Sequence, residues 1–227
     1  MSGQERSGDA AGRIVAVVAG MLESGGYDCV QLADVAKKAR VSLRTVYQAF
    51  GSREELILTA VESWMDAEVY QKMGQPAPGE PLSEALTRQF RQIFEPWERH
   101  PHMAQAFMRA KLSPGGERLV KQGFAAAEAN ADRMFEGLDP DYAADVRAIL
   151  TNLVYGLAFR FAAGEIPVHE MRETLERAVR RLTPSSAIRR WRLTRRAAGS
   201  RPGSARPSAP ARRPRGSRRR ARRPRSA

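Results

Sequence analysis

The sequence predicts an all-α fold. Its first 183 residues carry repeated stretches of 3.6-residue apolar periodicity, they lack convincing strand-type alternation, and several of the stretches begin or end at cap residues and prolines. Ile14, Val17, Val18, Met21 and Leu22 share one face of a first helix, which Gly25 and Gly26 can close in the left-handed C-cap conformation. Leu32 to Ala39 and Ser42 to Phe50 read as two short helices separated only by Arg40 and Val41, so they must cross steeply, as in a helix-turn-helix. Leu32, Val35, Ala36, Ala39, Val41, Val46 and Phe50 supply the packing of that crossing. Ser52 and Glu55 have the spacing of a capping box and open a helix expected to reach about Met73. Gln75 to Pro81 is a Pro- and Gly-rich linker. Beyond it the pattern predicts helices over Leu82 to Arg99, Pro101 to Leu112, Gly116 to Gly137, Pro140 to Gly164 and Pro167 to Leu182. Pro96 is expected to kink the first of these, and Asp139 to cap the fourth ahead of Pro140.

This pattern divides the chain into a small helical head (10–56), a larger helical body (57–183) and a tail (184–227). The tail holds 16 arginines, no lysine and no acid, whereas the preceding residues set 22 Lys and Arg against all 25 acids. The net charge of +13 therefore belongs to the tail, and the globular part is mildly acidic. Arg, Pro, Ser, Gly and Ala in such density cannot bury enough surface to offset chain entropy, so the tail is expected to be disordered. Such an arm attracts phosphates weakly or serves no dedicated role. A single cysteine, Cys29, excludes an internal disulfide framework and a Cys-rich zinc site, and a reducing cytoplasmic setting is expected. The longest apolar run, Ile14 to Leu22, is too short to span a membrane, and Glu23 closes it without a signal-type cleavage site.

Lys37, Lys38, Arg40, Arg44 and Arg53 fall within 17 residues that contain no acid. A helix lying in a major groove reads bases from side chains near its N-terminus. Leu43, Arg44 and Gln48 are the candidates here, with Arg44 able to fork onto guanine and Gln48 onto adenine. Gln31, Lys37 and Lys38 are candidate backbone contacts, with a solvated face as the alternative for Lys37 and Lys38.

The run from Gly26 to Leu56 closely resembles the DNA-binding region of the TetR family of bacterial transcriptional regulators. Val41-Ser-x-x-Thr-x-Tyr-x-x-Phe50, followed by Ser52-x-Glu-x-Leu56 and preceded by Asp34-Val-Ala36, carries the resemblance. It is close over residues 10 to 60 and extends to 80–183 only as a pattern of helices. It implies that Ser42, Thr45, Tyr47 and Arg53 contact phosphates, although Ser42 also suits an N-cap, Thr45 can face its own helix and Tyr47 can be core. Two positions depart from the family pattern: Arg40 stands where a turn glycine is usual, and Arg44 where a small residue is frequent. The Gly-Tyr-Asp-x-Val-Gln start and the segment His100 to Ala110 resemble the KstR-type branch, which represses steroid catabolism genes in actinobacteria. That resemblance implies a small hydrophobic effector, a steroid or an acyl-coenzyme A, with Arg109 and Lys111 near its anionic head.

Phe90, Phe94, Trp97, Phe107, Met108, Phe124, Tyr155 and Phe159 are candidate walls of an effector pocket, because aromatic and Met side chains suit a large apolar ligand. Taken singly, each serves equally as core. Val146, Leu150, Leu153 and Leu157 on the penultimate helix, with Leu175 and Val179 on the last, form stripes that are either core or the seam of a homodimer. No cofactor or metal is expected. His100, His102 and His169 lack metal-ligand spacing, the carboxylate pairs sit at helix N-termini, and no nucleophile elbow or phosphate-cradling loop is present. An enzyme is therefore not the expected class. The sequence points to a dimeric, ligand-responsive repressor on double-stranded operator DNA, with no membrane partner; the rival is a non-specific nucleic-acid binder driven by the arginine tail.

Overall fold

A computed structural model describes residues 3–184, with side chains from residue 8 onward. Among these residues there are nine α-helices and no strand: α1 (Gly3–Gly25), α2 (Leu32–Ala39), α3 (Leu43–Phe50), α4 (Arg53–Glu68), α5 (Leu82–Arg99), α6 (Pro101–Lys111), α7 (Glu117–Met134), α8 (Pro140–Ala162) and α9 (Val168–Leu182). No helix among the described residues is long and apolar enough to cross a membrane. The tail expected to be disordered lies, from residue 185, outside the described residues.

The predicted caps form. Gly26, at φ 75°, closes α1 by donating its N–H to Leu22 O at 3.0 Å. Asp139 Oδ1 accepts the N–H groups of Asp141 and Tyr142 at the head of α8. The capping box is formed by half. Ser52 Oγ accepts the Glu55 N–H at 3.0 Å, but the Glu55 carboxylate turns away to Arg118 of α7, 2.7 Å off. Pro96 lies inside α5 without ending it.

The helix expected to reach Met73 stops at Glu68. A 3₁₀ turn over Tyr70–Lys72 follows, and a second, unforeseen one spans Tyr27–Cys29. At Val69 the backbone leaves the α-helix (φ −120°, ψ −67°), and this break lets two adjacent side chains face inward: Val69 is fully buried and Tyr70 turns into the body.

One apolar core runs without interruption from the head into the body. It joins Ile14, Val18 and Leu22 of α1, Val35 and Ala39 of α2 and Val46 of α3 to Met103 of α6 and Met171 and Leu175 of α9. Leu56, Ile57 and Leu58, three consecutive residues of α4, are all fully buried in it. The expected boundary at 56/57 thus falls inside a helix that both parts share. A second cluster, with Leu82, Leu86, Phe135, Val146, Leu150 and Val179, closes the far end of the body between α5, α8 and α9.

An ionic lattice fastens α5 to α9. The Glu176 carboxylate is 8% exposed and accepts from Arg91 Nε at 2.9 Å and Arg172 Nη1 at 2.8 Å, while Arg172 Nε reaches Glu98 at 2.6 Å. The hydrogen bond from Arg91, then that from Arg172, hold the Glu176 carboxyl below its ordinary value of 4.5 against the opposing effect of burial. A depressed folded pKa stabilises the fold above the unfolded value, and that contribution is lost as pH falls through the folded one. Glu176→Ala leaves Arg172 and Arg91 without their shared partner and is expected to cost about 3 kcal/mol at neutral pH. Denaturant titrations across a pH series are expected to show wild-type stability falling below about pH 4.5 more steeply than that of the variant.

Candidate nucleic-acid interface and cavity of the body

The turn between α2 and α3 forms although no glycine is present. Arg40 adopts the left-handed conformation (φ 55°, ψ 45°) as the α2 C-cap, the only non-glycine residue at positive φ among those described, and Val41 N–H reaches back to Ala36 O at 3.0 Å. α3 then buries Val46 and presents its remaining faces outward. Leu43 is 42% and Tyr47 51% exposed, and Ser42, Arg44 and Gln48 are exposed with them. Exposed apolar and aromatic side chains on so short a helix fit a surface awaiting a partner better than one facing water.

Ser42 is the N-cap of α3. Its Oγ accepts the Thr45 N–H at 3.0 Å and lies 2.8 Å from Thr45 Oγ1, so the two hydroxyls hold each other at the helix start. Lys37, Lys38, Arg40 and Arg44 are exposed and make no ion pair among the described residues. Gln31 is exposed at the N-cap of α2, where its amide donates to Asp28 O at 3.3 Å. The structure therefore brings Gln31, Lys38, Ser42, Leu43, Arg44, Thr45, Tyr47 and Gln48 to the outside of the α2–α3 unit.

Arg53 is different, and corrects the expectation of a phosphate contact. Its Nε donates to Val30 O at 2.7 Å and its Nη2 to Tyr27 O at 2.6 Å, with the guanidinium 4.8 Å from the centre of the Tyr27 ring. It bolts the segment before α2 to the start of α4. Arg109 of α6 stands 4.3 Å from the centre of the same ring and donates to Asp28 at 2.7 Å. Arg109 thus faces the head rather than the expected anionic end of a ligand. Tyr27 as a joint was not legible in sequence, since its partners lie 26 and 82 positions away.

A cavity of about 270 Å³ opens in the body among α5, α6, α7 and α8. Phe90, Phe94 and Trp97 line it from α5, Phe107 and Met108 from α6, Phe124 from α7 and Tyr155 from α8. The Trp97 indole N–H points to Met65 Sδ at 3.4 Å, fixing that ring in the wall. Phe124 and Tyr155 are partly exposed and pair at 6.2 Å, and Lys111 Nζ lies 4.9 Å from the Tyr155 ring centre. Burial pulls the Lys111 ammonium below the usual lysine range, and no carboxylate pairs with it among the described residues. Tyr70, whose hydroxyl is pushed up to about 12 by burial, and Gln89 also line the chamber. Neither was anticipated, because a lone Tyr or Gln carries no sequence signal of its own. Phe159 does not belong there: it is 74% exposed on the outside of α8, a correction that follows from its helical angle to Tyr155.

The expected dimer seam is likewise corrected. Val146, Leu150, Leu157, Leu175 and Val179 are buried within the protomer, and Leu153 packs partly buried against the core. Of the large apolar residues that α8 exposes, Tyr155 lines the mouth of the chamber, whereas Ile149 and Phe159 lie on one outward face with Asn152 and Gly156 between them at 3- and 4-residue spacing. Among the described residues no group of three His, Cys, Asp or Glu side chains is placed to hold a metal ion.

A steeply crossed helix pair with an exposed basic recognition face, carried on a helical body with an apolar chamber, defines a ligand-sensing DNA-binding protein. Residues 14–60 match the bacterial regulatory proteins of the tetR family and residues 79–182 match the tetracyclin repressor-like C-terminal domain, and the chain belongs to the TetR family of DNA-binding transcriptional regulators. It is 29% identical over 167 residues to the HTH-type transcriptional repressor KstR of Rhodococcus jostii, covering 68% of this chain and 76% of that protein. Its fold is similar to that of a tetR-family regulator from Streptomyces coelicolor (TM-score 0.62, 21% identity, 89% of this chain and 92% of that one). It is also similar to a TetR-family regulator from Rhodococcus sp. (TM-score 0.55, 21% identity, 77% and 98%).

The strained cap gives a direct test. A side chain in the left-handed region costs about 1–2 kcal/mol, so Arg40→Gly is expected to stabilise the fold by about 1 kcal/mol in chemical denaturation. Removing one cation beside the recognition helix is expected to weaken DNA binding across all sequences and to reduce the salt slope by about 1.

Proposed function

We propose that the protein is a homodimeric repressor that binds a palindromic operator through α3 and leaves it when a small hydrophobic effector fills the body. The observation that carries this reading is the α2–α3 unit: four unpaired cations and an exposed Leu43, Arg44, Tyr47 and Gln48 on one recognition surface. Arg44 and Gln48 would read base edges, and Ser42, Thr45, Tyr47, Lys38 and Gln31 would hold the phosphate backbone. The similarity to KstR supports repression as the sign of regulation and, with the branch resemblance, a steroid or acyl-coenzyme A as effector. The unpaired Lys111 ammonium at the aromatic rim suits an effector with an anionic group. Nothing in this reading calls for catalysis, and it places the protein in the cytoplasm with its DNA.

The geometry supports a route from cavity to head. α6 sends Phe107, Met108 and Lys111 into the cavity and, on its other side, Arg109 onto Tyr27 and Asp28, the residues just before α2. α7 sends Leu119 and Phe124 inward while Arg118 grips Glu55 and Glu62 of α4. A ligand that fits one separation of these helices better than another shifts the two heads by that difference in affinity.

Selection from a random DNA pool tests the reading. Full-length protein and residues 1–183 are both expected to enrich one palindrome, and Arg44→Ala is expected to cost about 1–3 kcal/mol on it and to relax one position. Binding by the full-length protein alone, without a preferred sequence, would favour the arginine tail as the binding element instead. For the dimer, Ile149→Glu with Phe159→Glu is expected to give a folded monomer by sizing and circular dichroism, with weak operator affinity; a dimer that persists excludes this face of α8.

A further inference from the structure

We infer that the effector carries a neutral hydrogen-bonding group, a hydroxyl or a carbonyl on its apolar skeleton, and that Gln89 is the residue that selects for it. This rests on the reading of the cavity as the effector site and adds the chemistry that distinguishes one apolar molecule from another.

Gln89 interrupts an otherwise apolar wall. Leu86, Phe90, Ile93, Phe94 and Trp97 of α5 all line the chamber, and Gln89 lines it in their midst at helical spacing. It is 9% exposed, its Oε1 is buried with no hydrogen-bond partner, and its amide makes no hydrogen bond to any described residue. Burying an unpaired amide costs about 1–3 kcal/mol, and a leucine would fill the same wall without that cost. Buried polar groups in folded proteins are nearly all paired, with protein or with ordered water, so an amide in a chamber wall that has no protein partner is available to a hydrogen-bonding group of a ligand. The Nε2 end, which makes no hydrogen bond to a described residue and is not covered as Oε1 is, offers a donor that a hydroxyl or a carbonyl oxygen can accept, and a turn of the amide would present the acceptor instead. Tyr70, whose hydroxyl makes no bond to a described residue, is a second polar side chain in the lining of the same chamber.

The discrimination follows from the same imbalance. A site that hydrogen-bonds a ligand group rejects an analogue lacking it, because the site's own polar group then stays buried and unpaired. Lys111 lies at the rim beside the partly exposed Tyr155 and Phe124, whereas Gln89 is enclosed. The two would read different ends of an effector.

The test uses full-length protein and two neutral fluorescent probes that share a ring system, 1-pyrenemethanol and 1-methylpyrene. Protein is titrated into a fixed low concentration of each, for wild type, Gln89→Leu, Gln89→Met and Gln92→Leu. Gln92 also has a buried, unpartnered Oε1 but does not line the chamber, so its variant isolates the effect of removing a buried amide. The ratio of the two dissociation constants is expected to shift by at least about tenfold toward methylpyrene in both Gln89 variants, and to stay at the wild-type value in Gln92→Leu. Without ligand, Gln89→Leu is expected to unfold at a higher temperature than wild type. A ratio unchanged by the Gln89 substitutions, with both probes bound, overturns the inference and leaves the cavity reading standing. An equal shift in Gln92→Leu also overturns it. Binding of neither probe to the wild type overturns the inference together with the cavity reading.

Discussion

The structure depends on the burial of α4. Leu56, Ile57 and Leu58 are consecutive and all fully buried, and Ala60, Val61, Trp64 and Met65 follow them inside. A helix with one apolar stripe cannot do this; α4 must be covered on most of its circumference, by α1 and α3 on one side and α6 and α7 on others. The head therefore has no core of its own apart from α4, and the body loses a wall without it. Continuity of packing between the two follows from this one constraint.

Two helices convert that continuity into linkage because they use opposite faces. Successive residues of an α-helix point about 100° apart, so Met108 and Arg109 of α6 address different partners, the chamber and the Tyr27 ring. Leu119 and Arg118 of α7 do the same toward the chamber and α4. The guanidinium groups of Arg53 and Arg109, both near the Tyr27 ring, tie the segment ahead of α2 to α4 and α6 by bonds that can lengthen or reorient without unfolding anything. Glu176 and its arginines hold α5, which lines the chamber, to α9.

Local signals made the helices readable. Periodicity placed α2, α5 and α9 within a residue or so of where they occur, and caps fixed the starts of α3, α6 and α8, because Ser42, Pro101 and Pro140 act within one turn of themselves. The outward face of α3 was legible for the same reason: Leu43, Arg44, Tyr47 and Gln48 owe their exposure to the phase of one short amphipathic helix. What sequence could not resolve was which of two partners a side chain takes. Arg53 reads as a surface cation and is drawn inward by two backbone carbonyls. The stripe of Val146, Leu150 and Leu157 reads as core or seam, and the placement of α5 and α9 against it makes it core. Phe159 and Tyr155, four residues apart, share a general direction, yet a shift of some 40° is enough to take Phe159 out of the chamber.

The shared core also fixes where the chain can be cut and rejoined. A crossover after residue 56 would split three buried residues of α4 between parents and ask two foreign surfaces to match. The stretch from 73 to 81 lies between α4 and α5 and is largely exposed, its backbone outside any helix. Exchange there would keep α4 whole with the head and leave only the faces that α1 and α4 turn to α6 and α7 to meet a new body, so recombinants that swap binding specificity should survive more often at that seam than at the other.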